Sequence, residues 1–243
     1  MRIMPIACQC RQQEIKEKEE REAIKAKVKR LEQLRKYSMM NEKFYSCTFE
    51  NWDWNLAGSK EDRKMYNFGK RYIEKWSELK AKHIGLMLLG EKGVGKTRLS
   101  FCIANALLNQ FVPVIAISSG ALLERIDKAR KSYGEEGQYE VLNALRNADL
   151  IVLDDLGAEY SSAWGQSIMY TIIDNLVSLQ KNIIITSNKN REDLASHLTG
   201  TDGVGRAYDR LLELCTMVEY KGSSKRPDIQ DKRGTELWEI IGK

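Results

Sequence analysis

The stretch Gly90-Glu91-Lys92-Gly93-Val94-Gly95-Lys96-Thr97 leaves this chain fewer options than any other part of it. A continuous apolar run, residues 84–89, precedes it, and a helical run, residues 98–110, follows. A strand that passes through G-x-x-x-x-G-K-T into a helix is a phosphate loop. Its glycines let the chain turn back so that successive backbone N–H groups face phosphate oxygens, and the helix N-terminus adds partial positive charge. Gly90, Glu91, Lys92, Gly93, Val94, Gly95, Lys96, Thr97 and Arg98 are therefore the expected nucleotide-binding residues. Lys96 is placed to reach the β- and γ-phosphates, and the Thr97 hydroxyl to ligate Mg²⁺. A chance glycine-rich turn is the competing reading, and the flanking strand and helix argue against it.

Around this loop the sequence alternates short apolar runs with helical periodicity. Runs at 84–89, 112–117, 150–153, 183–186 and 216–218 predict five strands. Continuous apolar runs suit strands covered on both faces, and parallel neighbours need crossovers, so the expectation is an α/β fold with a five-stranded parallel sheet flanked by helices. An aromatic, cap-rich stretch at 47–54 marks the entry to the globular part, and 59–80 predicts one amphipathic helix with Ser59 as N-cap and Asp62 in its first turn.

The phosphate loop calls for a carboxylate at the end of a second strand. Leu150-Ile151-Val152-Leu153-Asp154-Asp155 supplies two. Asp154 is placed to hold Mg²⁺ and Asp155 to polarise an attacking water, the alternative being that both merely cap the next turn. Ile183-Ile184-Ile185-Thr186-Ser187 delivers Asn188 to the same edge, where an amide can orient water or sense a γ-phosphate. Taken alone, Thr-Ser-Asn is equally a loop start with a helix cap.

Residues 11–36 lack Gly and Pro and carry ten Lys/Arg against six Glu, so the formal charge of +5 is concentrated in a basic N-terminal helix. Its apolar positions Ile15, Ala23, Ile24, Val28, Leu31 and Leu34 make one narrow face. A solvated charged helix and a helix that docks on another protein both fit. With 42% hydrophobic residues, 17 Gly and 3 Pro in 243 residues, collagen-like and wholly disordered chains are excluded. No apolar run approaches the roughly 20 residues of a membrane span, and the start lacks a secretory signal, so a cytoplasmic protein without membrane contact is expected. Five scattered cysteines point to reduced thiols, and Cys8-Gln9-Cys10 offers only two of the four ligands a structural zinc needs.

Phosphate loop, Asp-Asp strand end and Asn-bearing strand end, in this order, resemble the AAA+ ATPases. Cys47-Thr48-Phe49-Glu50-Asn51, Asp154-Asp155-Leu156-Gly157-Ala158-Glu159, Thr186-Ser187-Asn188 and Gly205-Arg206-Ala207-Tyr208-Asp209-Arg210-Leu211 narrow this to the DnaC/DnaI family of replicative-helicase loaders, with the transposition helper IstB as nearest relative. The resemblance covers about residues 44–226. It implies ATP and Mg²⁺ as cofactors, catalytic roles for Lys96, Asp154, Asp155, Asn188, Arg206 and Arg210, and self-association through the ATP site. Arg210 matches the family's arginine finger; without that context Arg206 and Arg210 read as a surface helix with local ion pairs. It also implies an N-terminal arm, 1–43, that grips a hexameric replicative DNA helicase, ahead of an ATPase domain, 44–243. Too few residues follow the last strand for a full C-terminal lid, although Arg226 matches the family's short arginine-bearing segment. Asp155 stands where many AAA+ proteins have Glu, which implies slow basal hydrolysis.

Loaders also hold single-stranded DNA. Arg130 and Lys131 are candidate contacts as cations for the backbone, and the resemblance implies Ser162 and Trp164, which match positions that family loaders use near DNA, Trp164 with an aromatic face for bases. A capped helix start with Trp164 packed inward is the other reading. Two rival functions remain at this point, an IstB-like helper that coats duplex DNA for a transposase and a small-molecule kinase built on a phosphate loop.

Overall fold

A computed structural model describes residues 9–38, 42–158, 162–199 and 205–242, with side chains from Arg11 onward. Cys8, the Cys10 side chain and Glu159 lie outside the described residues. The elements run α1 (Gln9–Arg35), α2 (Glu42–Tyr45), α3 (Lys60–Glu74), α4 (Trp76–Ala81), β1 (Gly85–Leu89), α5 (Lys96–Asn109), β2 (Val114–Ser118) and α6 (Ser119–Asn147). They continue as β3 (Leu150–Asp154), α7 (Ala163–Ser178), β4 (Asn182–Ser187), α8 (Arg191–His197), α9 (Arg206–Leu214), β5 (Cys215–Glu219) and α10 (Arg226–Ile241).

All five strands pair in parallel, in the order β2-β3-β4-β1-β5. Alternate side chains feed two separate cores, which is why β1 to β4 carry unbroken apolar runs; β5, at the edge of the sheet, leaves Thr216 and Glu219 exposed. Met87, Ile115, Ile117, Ile151, Leu153, Ile183 and Ile185 pack against α6, α7 and α9. Leu86, Leu88, Val114, Ala116, Leu150, Val152 and Ile184 pack against α3, α4 and α5. The register aligns Ala116, Val152, Ile184 and Leu86 in one row across the second face. With β1 between β4 and β5, and β4 between β1 and β3, the loops after β1, β4 and β3 stand side by side at one sheet edge.

The helix expected over 59–80 is two helices. Ser59 caps α3 with a capping box, accepting from the Asp62 N–H while Asp62 accepts from the Ser59 N–H, but at Lys75 the backbone leaves the helical path before α4 begins. α6 likewise breaks at Gly134, with φ 62° and ψ −146°. Three helix ends, at His83, Phe111 and Gln180, close through left-handed residues that are not glycine. Each is followed by an N–H bonded back to the last turn, as in Ile84 to the Leu79 carbonyl.

The entry segment is fastened to α5: buried Asn105 donates through Nδ2 to the Phe44 and Cys47 carbonyls, both at 2.8 Å. Phe49, Trp52, Trp54 and Tyr66 stack beside it. Among the described residues, α1 meets the body toward its C-terminal end. Leu34 is buried against the α6 and α7 core, Ser38 accepts from the N–H of Ala116 on the edge strand β2, and Arg30 pairs with Asp149. Cys47, Cys102 and Cys215 are buried free thiols, and burial pushes the last two up to about 12. Among the described residues no helix is long and apolar enough to cross a membrane.

Candidate nucleotide site

β1 ends at Leu89, and the loop reaches α5 through Gly93 and Gly95, whose φ values of 86° and 114° lie in the region that side-chain-bearing residues avoid. Val94 between them turns its side chain fully into the α3 and α5 core, so only its backbone is available to a ligand. Lys96 is buried, and its Nζ donates to the Gly90 carbonyl at 2.7 Å, the Glu91 carbonyl at 2.8 Å and Asn188 Oδ1 at 2.9 Å. Burial lowers the affinity of this amine for its proton, opposed by the negative charges of Asp155, Asp154 and Glu91.

Asn188 faces both ways. While its Oδ1 accepts from Lys96, its Nδ2 donates to Asp155 Oδ1. The strand order accounts for this bridge: the loop after β4 lies between the phosphate loop after β1 and the acids after β3. Thr186 binds both acids, its Oγ1 donating to Asp154 Oδ1 at 2.7 Å and accepting the Asp155 N–H at 2.9 Å. Asp155 has φ 57°, a conformation that costs about 1 kcal/mol or more, and Ser119 Oγ holds its carbonyl at 3.0 Å. Burial raises the Asp154 carboxyl, opposed by hydrogen bonds from Thr186 and Thr97. A buried carboxylate beside the Thr97 hydroxyl, with a second acid adjacent, is a hard oxygen set of the kind Mg²⁺ takes. The residues present therefore fit both a nucleotide phosphate chain and its metal.

Arg98 is tied elsewhere: its guanidinium donates to the Asn51 carbonyl at 2.6 Å and lies 5.8 Å from the Trp52 ring centroid. Lys92 is exposed at the loop's apex region. Arg206 opens α9, and Arg210, one turn on, is half-exposed and pairs with Asp174 of α7 and Glu213 of α9, both at 3.1 Å. Of the DNA candidates, Ser162 caps α7 by accepting the Gly165 N–H, and Trp164 packs partly into the core. The fold brings Arg130 of α6 to 5.5 Å from the Trp164 ring centroid, while Lys131 and Arg130 both pair with Asp127. Among the described residues no cluster of His, Cys, Asp and Glu is arranged to hold a metal by itself.

Sequence reasoning missed Asp62, Tyr220 and Lys225, which meet beneath the phosphate loop. Tyr220 Oη donates to Asp62 Oδ1 at 2.7 Å, and Lys225 Nζ lies 2.9 Å from the same oxygen. The capping-box spacing singled out Asp62 only as a cap, and nothing local points from residue 62 to residue 220.

Comparison with known proteins follows the same outline. The replicative helicase loader DnaC of Buchnera aphidicola subsp. Baizongia pistaciae is 25% identical over 164 residues, 68% of this chain and 64% of that protein. The replicative helicase loader DnaI of Bacillus subtilis (strain 168) is 25% identical over 170 residues, 67% of this chain and 53% of that protein. The chain thus spans less than two thirds of the length of these curated relatives. A solved structure described as the crystal structure of the DnaI superposes with a TM-score of 0.61 at 26% identity, covering 76% of this chain and 96% of that one. The fold is that of an AAA+ domain. A family profile described as IstB-like ATP binding protein matches residues 12–233. Since that match runs from the arm through the phosphate loop and into α10, the chain belongs to the IstB-like ATP-binding protein family.

Proposed function

We propose that this protein is an ATP-hydrolysing loader that binds a hexameric replicative helicase and delivers it onto single-stranded DNA. The observation that carries the ATPase half is the contact of Lys96, at the start of α5, with Asn188 after β4 and Asp155 after β3, joined through one amide. Lys96 exchanges its carbonyl acceptors for phosphate oxygens, Asp155 takes the proton of the attacking water, and Asn188 sets the spacing between them. Thr97 and Asp154 would hold Mg²⁺, which would neutralise the phosphate charge. Arg210, half-exposed on α9, reaches the ATP of a neighbouring copy and makes hydrolysis depend on self-association. The Arg130–Trp164 pair, a cation over an aromatic face, supports a single-stranded DNA contact there. The loader half is supported by the names of the relatives and by α1, whose outer turns expose Ile15, Ile24 and Val28 among charges.

The test is co-purification with the replicative helicase from the same genome. Leu34 and Ser38 belong to the folded body, so removal of all residues before Phe44 would damage the domain. The variant to use is I15D/I24D/V28D. The loader reading expects a complex with the native chain and none with the variant. No complex, together with ATP-dependent filaments on duplex DNA, would instead favour a transposition helper.

A further inference from the structure

Asp62 is almost fully buried, and each of its oxygens is used. Oδ2 accepts from the Ser59 N–H at 3.1 Å and from Ser59 Oγ at 2.6 Å, which completes the cap of α3. Oδ1 has no part in capping; it accepts from Tyr220 Oη and Lys225 Nζ. Tyr220 is 1% exposed and Lys225 8%. A buried ion pair is a poor way to gain stability, because desolvation offsets most of its attraction and an apolar pair of the same volume does as well or better. What such a pair fixes is position.

The backbone shows which position. The Tyr220 N–H donates to the Leu89 carbonyl at 2.7 Å, at the root of the phosphate loop, and the Lys225 N–H donates to the Gly93 carbonyl at 3.0 Å, within it. The residues whose side chains meet on Asp62 therefore hold both limbs of the loop by main-chain bonds. The fit between them is close, since a Cβ on Gly93 would stand 2.3 Å from Ser224 Oγ. The residue after Lys225 opens α10, which buries none of its own side chains.

We propose that Asp62, Tyr220 and Lys225 form a buried latch that positions the phosphate loop and fastens the base of α10 to it, so that nucleotide binding and the placement of α10 are coupled. This rests on the nucleotide reading above. Asp62, Tyr220 and Lys225 are positioning residues: they act on the phosphates through the Leu89 and Gly93 carbonyls.

The experiment uses the full chain. A fluorescent ATP analogue with Mg²⁺ is titrated into the native protein, D62N, K225M, the double variant D62N/K225M, Y220F, K225R and K96A. Each is also digested with a protease, with and without ATP, and cleavage within 226–242 is followed. D62N and K225M are expected to weaken binding about tenfold, corresponding to about 1.4 kcal/mol, and Y220F less. K225R, which keeps the charge, is expected to rescue in part. The double variant should regain thermal stability over either single one, because no buried charge is left unpaired, yet should not regain affinity. ATP is expected to slow cleavage of α10 in the native chain and not in the double variant. Should the double variant bind and be protected as the native chain is, while K96A is defective, the latch is only structural and the proposal falls. Native affinity in K96A would overturn the nucleotide reading first, and the latch with it.

Discussion

The sheet edge that carries Lys96 and the outer turns of α1 both set lysine near carboxylates and behave as opposites. At the edge, Lys96, Asn188, Asp155, Thr186 and Asp154 form a continuous chain of hydrogen bonds in a largely buried setting. On α1 the pairs Lys18–Glu22 and Arg21–Glu17, at 4.0 and 3.8 Å, lie one turn apart in open solvent. Burial makes each partner at the edge expensive to lose, whereas solvent screens the pairs on α1 and leaves them worth a few tenths of a kcal/mol. Chemistry at fixed positions needs the first arrangement. The second, together with an apolar stripe, suits the docking role proposed for α1.

Arg210 stands on the solvent side, yet the proposed function gives it a catalytic part. R210A is expected to lower ATP turnover about a thousandfold while leaving nucleotide binding and the melting temperature near native values. D155N is expected to cost about a hundredfold in turnover, again with binding kept. Mixing the two inactive variants should restore turnover, because subunits lacking Arg210 keep a whole Asp155 site and receive the arginine of a neighbour. A mixture no more active than its components would place Arg210 outside the ATP site.

Where α1 roots in the body, the expected loss is of stability. Leu34→Ala opens a cavity in the α6 and α7 core and should cost about 2–4 kcal/mol in a urea titration. Glu17→Gln, a few turns outward, should stay within about 0.5 kcal/mol in the same assay. A large effect there would mean that the arm's tip also folds onto the body.

The buried latch adds a pH test. Burial alone would raise the Asp62 carboxyl, but hydrogen bonds from Ser59, Tyr220 and Lys225 outweigh it and hold it below its ordinary 3.8. The pair's contribution is therefore complete above that value and lost as pH falls through the lower folded value. Denaturant midpoints compared at pH 5 and below pH 3 should drop further for the native chain than for D62N.

Most of the architecture was legible because it is written locally. Continuous apolar runs marked all five strands, and G-x-x-x-x-G-K-T placed the loop between strand and helix. The order of the strands then brought Asn188 between Lys96 and Asp155, a meeting that the sequence motifs implied but could not display. What escaped had no local signature. Left-handed helix ends at His83, Phe111 and Gln180 lack the glycine that usually announces them. The break at Lys75 has neither Gly nor Pro to mark it. Asp62 and Tyr220 are 158 residues apart, and a carboxylate that caps its own helix gives no sign that its second oxygen is spoken for.

Whether ATP held at this edge drives helicase delivery, as proposed, is read from strand separation on a circular single-stranded template carrying one annealed primer. The cognate helicase is supplied with the native chain or with K96A, in the presence of ATP. The native chain is expected to accelerate unwinding several-fold, and K96A, still bound to the helicase, is expected not to. Equal stimulation by both would contradict the proposal, since delivery would then proceed without the phosphate loop.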